Sequence, residues 1–269
     1  MKCFCFTVDD NIRFLKELTE KPADSIFAHP YLAMYQRLHE KFNLKVQLNL
    51  FYEMPGFDLP MMTDRYKSEF RENAHWLKLS FHSKWENVKP YEFSGYDEVY
   101  TDGKAVNDQI IRFAGENTLG KTTTIHYCRT TEDGLCAMKD LNTQGLLGLF
   151  GTEQEKRTSY GVPESYGDAI RAGEVIEYRG VKIASIDMVI NTVKEEQLLS
   201  ELEILREHHQ LRVMIHEQYF YPDYSNYLAD FEARVLQACE ILANKGYTGA
   251  HIRDVTTPRP LADYPAFHI

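Results

Sequence analysis

Two carboxylates, Asp9 and Asp10, stand side by side at the end of the apolar run Cys3-Phe4-Cys5-Phe6-Thr7-Val8. Adjacent like charges repel, and removing even one from water is costly unless a partner or a metal ion offsets it. Later apolar runs close on polar residues in the same way. "LKLSF" ends at His82-Ser83, with Glu86 four residues after the histidine. "TTTIHY" leads to Arg129, "ASIDMVI" holds Asp187, and "LRVMI" ends at His216-Glu217. Acids and histidines at successive strand ends are the equipment of a mononuclear metal hydrolase. Such a catalytic metal takes three protein ligands and keeps one position open for water. His82 and Glu86, at i and i+4, fall on one side of a helical turn. One carboxylate of the Asp pair would complete the set, and the other would act as general base.

The elements that carry these residues alternate along the chain. Leu32, Met34, Tyr35, Leu38 and Phe42 have helical spacing over 30–42, between strand-like runs at 3–8 and 44–52. Further strands are expected at 77–81, 122–127, 146–150 and 211–215, with a last one in "TGAHI". Helices are expected over 63–76, 103–114, 134–145, 195–208 and 227–245. "EVIEYRGVKIASIDMVI" reads as a hairpin turning at Arg179-Gly180. Alternation at this pace, over 269 residues, predicts one domain spanning 1–269, a (β/α) barrel of about seven strands. Barrel chemistry sits where strands end, which is where the polar residues fall.

A net charge of −10 and the lack of a basic stripe argue against nucleic-acid binding, which rests on clustered Lys and Arg. No apolar run of membrane-spanning length and no secretory leader pattern is present, so a cytoplasmic protein without a membrane partner is expected. Five cysteines, Cys3, Cys5, Cys128, Cys136 and Cys239, include no C-x-x-C pair and read as reduced thiols. Oligomeric state leaves no mark in the sequence.

The order of these motifs resembles the polysaccharide deacetylase family (carbohydrate esterase family 4), whose fold is a distorted (β/α) barrel. That family closes its first strand with T-[FV]-D-D-G, and this chain has Thr7-Val8-Asp9-Asp10-Asn11. The resemblance implies that Asp9 is the general base and Asp10 a metal ligand. The family's H-[ST]-x-x-H, with both histidines on the metal, corresponds to His82-Ser83-Lys84-Trp85-Glu86, with Glu in place of the second histidine. The implied ligands are therefore Asp10, His82 and Glu86 on a divalent ion, Zn, Mn, Co or Fe. The R-x-P-P-Y motif survives only as Arg129, which would steer Asp9. The late L-x-H motif points to His216 as general acid, oriented by Asp187. The implied activity is removal of an acyl group from an N- or O-acylated sugar-like substrate.

Two alternatives stay open at this point. Glu86 and the lost prolines would suit a carbohydrate-binding pseudoenzyme. Asp9 or Asp10 with Glu217 would suit a metal-independent glycoside hydrolase. The aromatic run "YFYPDYSNY" at 219–227 is either a sugar-facing wall or loop packing.

Overall fold

The computed structural model describes residues 2–86, 91–151, 158–204 and 210–251. Its strands are β1 (Cys3–Asn11), β2 (Val46–Phe51), β3 (Glu53–Met54), β4 (Phe57–Asp58), β5 (Leu77–Ser83), β6 (Thr122–Thr123), β7 (Gly145–Gly148), β8 (Ile176–Tyr178), β9 (Val181–Ser185), β10 (Met188–Val189), β11 (Gln210–His216) and β12 (Thr248–Gly249). The α-helices are α1 (Arg13–Glu20), α2 (Pro30–Phe42), α3 (Lys67–Asn73), α4 (Tyr96–Phe113), α5 (Glu132–Asp140), α6 (Glu164–Arg171), α7 (Leu198–Ile204) and α8 (Phe231–Asn244).

Two parallel arcs make the centre. One runs β10-β11-β1-β2-β5, with β12 also paired to β1; the other runs β6-β7-β9, with β8 antiparallel on its edge. Irregular bonds join the arcs. Between β5 and the β6 region, Gly120 N donates to Leu79 O at 2.7 Å, Ser80 Oγ donates to Thr122 O at 2.9 Å, and the Thr123 hydroxyl donates to Phe81 O. On the other side, Asp187 N donates to Arg212 O at 2.9 Å. The result is the expected α/β fold, a distorted (β/α) barrel built on a parallel sheet. All six β2 residues are buried, as are eight of the nine in β1, as strands covered on both faces must be.

Local chemistry explains where elements begin and end. Pro30 opens α2 at its first turn, and Asn43 closes it in a left-handed conformation, so 30–42 matches the spacing-based expectation. Arg179 and Gly180, both at positive φ, turn β8 into β9. The helix expected from Gly103 begins earlier, at Tyr96. Gly103 lies inside it because a Cβ there would come within 2.5 Å of a Leu141 methyl, where the chain packs closely. The expected strand 122–127 is cut to two residues, because Tyr127 and Cys128 both adopt left-handed φ and turn the chain. Of the helix expected over 195–208, α7 and a preceding 3-10 turn are seen, and 205–209 lie outside the described residues. All five cysteines are free thiols. Among the described residues no helix is long and apolar enough to cross a membrane.

Candidate metal centre and active site

The first strand makes the site by breaking its own regularity. In an unbroken strand Asp9 and Asp10 would point to opposite faces. Here the β1–β2 register shifts between Val8 and Asn11, and Asp10 sits at φ 62, in the left-handed region. This bulge lets neighbouring carboxylates serve one pocket. Asn11 holds it together. Its Nδ2 donates to Val8 O at 2.6 Å and lies 3.3 Å from the carbonyls of Asp9 and Asn49, while the Tyr31 hydroxyl donates to its Oδ1 at 2.7 Å. Asn11→Ala removes these buried bonds at once and is expected to lower stability by about 2–3 kcal/mol in denaturant unfolding. A loss under about 0.5 kcal/mol, the range of a neutral surface change, would mean that the bulge holds without it.

Asp10, His82 and His126 converge. His82 Nε2 lies 3.0 Å from Asp10 Oδ1 and 3.1 Å from His126 Nδ1, and His126 Nδ1 lies 3.2 Å from Asp10 Oδ1. Among the described residues this is the group of acids, histidines and cysteines whose ligand atoms come within metal-binding range of one another. Each ring spends its other nitrogen on a carbonyl: His82 Nδ1–H donates to Thr124 O at 2.5 Å, and His126 Nε2–H to Glu86 O at 3.0 Å. Those bonds fix the tautomers, as outer-shell partners of metal-bound histidines do. Two imidazole lone pairs and a carboxylate oxygen are left facing one point. Three buried acceptors without a donor are costly, and a cation resolves the conflict. The spacing fits one. Ligand atoms about 2.0–2.1 Å from an ion, at octahedral or tetrahedral angles, are about 2.9–3.4 Å apart. Phe51 packs its ring 5.3 Å from that of His82 and 5.0 Å from that of His126, walling the group off.

The two acids are pushed in opposite directions. Burial raises the pKa of Asp9, against the pull of His82, His216 and a hydrogen bond from Asn49, while the Asp10 charge raises it further. Burial would raise Asp10 too, but the His126 and His82 imidazoles against its carboxylate hold it well below the carboxylate range. Burial lowers the pKa of His82, yet the charges of Asp9 and Asp10 outweigh it and leave it raised. The pocket thus favours positive charge where the three atoms meet. A pair of carboxylates split this way has one permanent anion and one proton carrier.

Asp9 is held from behind. Asn49 Nδ2 donates to Asp9 Oδ1 at 2.6 Å, and Gln47 Nε2 donates to Asn49 Oδ1 at 2.8 Å and to Thr122 O at 2.7 Å. Across the β1–β11 pair Asp9 is in register with His216. The Nδ1–H of His216 donates to Asn191 Oδ1 at 2.9 Å, leaving Nε2 as the outward nitrogen.

The other expected site residues have different surroundings. The Glu86 carboxylate lies outside the three-residue group and accepts from Gln218 Nε2 at 2.7 Å. Asp187 does not meet His216; it accepts from Arg212 N at 2.8 Å and faces the buried Arg212 guanidinium at 3.6 Å, a cation that needs a counter-charge. Arg129 is exposed and pairs with Glu92 at 3.1 Å, because the left-handed residues Tyr127 and Cys128 turn the chain before it. Glu217 is sequestered. It accepts from the backbone N–H groups of Ile12, Arg13 and Phe14 at the start of α1 and from Tyr221, and burial pushes its pKa up to about 7. That commitment removes the support for Glu217 as a glycosidase carboxylate.

Sequence reasoning singles out none of Gln47, Asn49, His126 and Asn191. A signal existed for the first two: amides at alternate positions of the otherwise apolar run Val46–Phe51.

No family model matches the chain, and no curated protein does. Solved structures do. A protein from Mycobacterium smegmatis, provisionally named a polysaccharide deacetylase, is 11% identical over 96% of this chain and 93% of its own, with a TM-score of 0.56. A 4-alpha-glucanotransferase from Thermococcus litoralis is 10% identical over 96% of this chain but only 41% of its own, with a TM-score of 0.61. A family 4 acetyl xylan esterase from Clostridium thermocellum, in complex with a cobalt ion, is 13% identical over 94% of this chain and 90% of its own; its TM-score of 0.49 is too low to carry anything further. At these identities the likeness is one of fold, and the fold is one that the Mycobacterium smegmatis and Thermococcus litoralis structures share with this chain.

Proposed function

We propose that the protein is a metal-dependent hydrolase that removes an acyl group from an N- or O-acylated, sugar-like substrate. The observation that carries this reading is the convergence of Asp10 Oδ1, His82 Nε2 and His126 Nδ1 on one point, with their other nitrogens tied to carbonyls. The fold shared with the Mycobacterium smegmatis structure supports it. Asp10, His82 and His126 would hold the ion, and two imidazoles with one carboxylate form a set suited to Zn, Co or Fe. When bound, a divalent ion supplies Lewis acidity to an acyl carbonyl and to water.

The protein's own groups supply the proton traffic. Asp9, its pKa raised by burial, accepts the proton of the attacking water while Asn49 keeps its carboxylate aimed. His216, its Nδ1–H fixed on Asn191, presents Nε2 to the leaving nitrogen or oxygen and protonates it as the imidazolium. Arg129 and Asp187 take no part in this scheme.

The test is elemental analysis of protein loaded separately with Zn, Mn, Co and Fe, together with acetate release from acetylated xylan and N-acetylglucosamine oligomers. About one ion per chain and metal-dependent acetate release are expected. Ion uptake with no release from any acylated sugar would move the reading to a carbohydrate-binding protein without turnover. No uptake of any ion would overturn the metal centre.

A further inference from the structure

Glu86 stands four residues after His82, where spacing placed a direct ligand, yet its carboxylate is not part of the converging group. Two of its atoms are engaged elsewhere. Its backbone carbonyl accepts from His126 Nε2–H at 3.0 Å, and its Oε1 accepts from Gln218 Nε2 at 2.7 Å. Gln218 is buried and lies in the 3-10 turn Glu217–Phe220. The first residue of that turn is fastened to the start of α1 by three backbone N–H bonds. A line of contacts therefore runs from a rigid corner of the barrel, through Gln218 and Glu86, to the ring of His126.

We propose that Glu86 and Gln218 are positioning residues for His126: their hydrogen bond fixes the carbonyl that sets the tautomer and aim of its ring, and through it the metal affinity of the site. This role rests on the metal centre proposed above. The need for it follows from where His126 sits. His82 rides on β5, a seven-residue strand, but His126 opens a 3-10 turn outside any strand, followed by left-handed Tyr127 and Cys128. The segment offering the carbonyl is exposed at Trp85 and Glu86. Just upstream the carbonyl of Lys84 accepts from Tyr52 N and Glu53 N at 2.9 Å each. At Glu86 itself the side-chain bond to the buried Gln218 adds a hold beside the carbonyl that faces His126. A ligand supplied by a neighbouring loop thus keeps Glu86 useful without contact between its carboxylate and the ion.

Zn²⁺ affinity, measured by competition with a chromophoric chelator, tests this in the wild type and four variants. Glu86→Gln keeps an acceptor oxygen for Gln218 and is expected to stay within about twofold of wild type. Glu86→Ala and Gln218→Glu, which delete the bond or set two carboxylates against each other, are expected to weaken Zn²⁺ binding by about 10–100-fold. The exchange Glu86→Gln with Gln218→Glu restores a donor and an acceptor in reversed order and is expected to recover most of that loss. Unfolding midpoints measured in parallel without Zn²⁺ are expected to stay close together across the set, because a purely structural contact would move stability and leave Zn²⁺ affinity unchanged. Glu86→Gln losing as much as Glu86→Ala would overturn the proposal and make the carboxylate a direct ligand. Glu86→Ala at wild-type affinity would overturn it as well. A wild type that takes up no Zn²⁺ would overturn the metal centre and this role together.

Discussion

Asp9→Asn is expected to lower the proposed acyl-hydrolysis turnover by about 10²–10⁴-fold, the range of a lost general base, with the ion content of loaded protein staying at the wild-type level. The substitution is close to isosteric. The Asn49 Nδ2 that donates to Asp9 Oδ1 at 2.6 Å can donate to an amide oxygen equally well, so the fold has little reason to respond. What disappears is the proton acceptor. The separation of effects is the useful part, because Asp9 lies beside the proposed ligand Asp10 but outside the group of converging atoms. Single-turnover rates and elemental analysis on the same preparation would check it. Full turnover would take the base assignment away from Asp9, and loss of the ion would make Asp9 part of the metal's binding set.

His126→Ala is expected to abolish the proposed stoichiometric binding of divalent ions, and the proposed activity with it, although the ligand set expected from the sequence, Asp10, His82 and Glu86, remains intact. Removing one of the three converging side chains leaves Asp10 and His82, two atoms 3.0 Å apart, which would hold an ion poorly on their own. His126 is largely buried but sits on a turn rather than in a strand, so the variant should keep its secondary structure by circular dichroism. Equilibrium dialysis against Zn²⁺ and Co²⁺ is the measurement. Near-wild-type uptake would show that the Glu86 carboxylate swings in to serve as the third ligand, and would exclude His126 as an essential one.

Much of this site can be read without coordinates because its parts sit at strand ends. Apolar runs closing on Asp9-Asp10, His82 and His216 mark the side of a barrel where chemistry gathers, and β1, β5 and β11 do end there. Helix α2 is legible for a related reason: its apolar spacing, its opening Pro30 and its closing Asn43 are local, and local chemistry sufficed. Where the signal was not local, reading failed. Asp187, between β9 and β10, looked like the partner of His216, but a buried Arg212 claims it and Asn191 takes the place beside the histidine. Glu86 matched a motif position that nothing in one dimension could distinguish from a ligand.

By itself, then, the sequence determined the barrel class, the strand ends that carry polar residues, and two of the three converging side chains, Asp10 and His82. Periodicity and strand boundaries are written in neighbouring residues, so one dimension holds them. Only the tertiary structure decided that His126 completes the group, that Asn49 and Asn191 hold Asp9 and His216, and that Glu217 is spent on α1. These depend on a register shift at Val8–Asn11, on left-handed turns at Asp10, Tyr127 and Cys128, and on how far one arc of the sheet curves towards the other. Such features set directions and distances between residues tens to hundreds of positions apart, and packing of the whole barrel, not local spacing, fixes them.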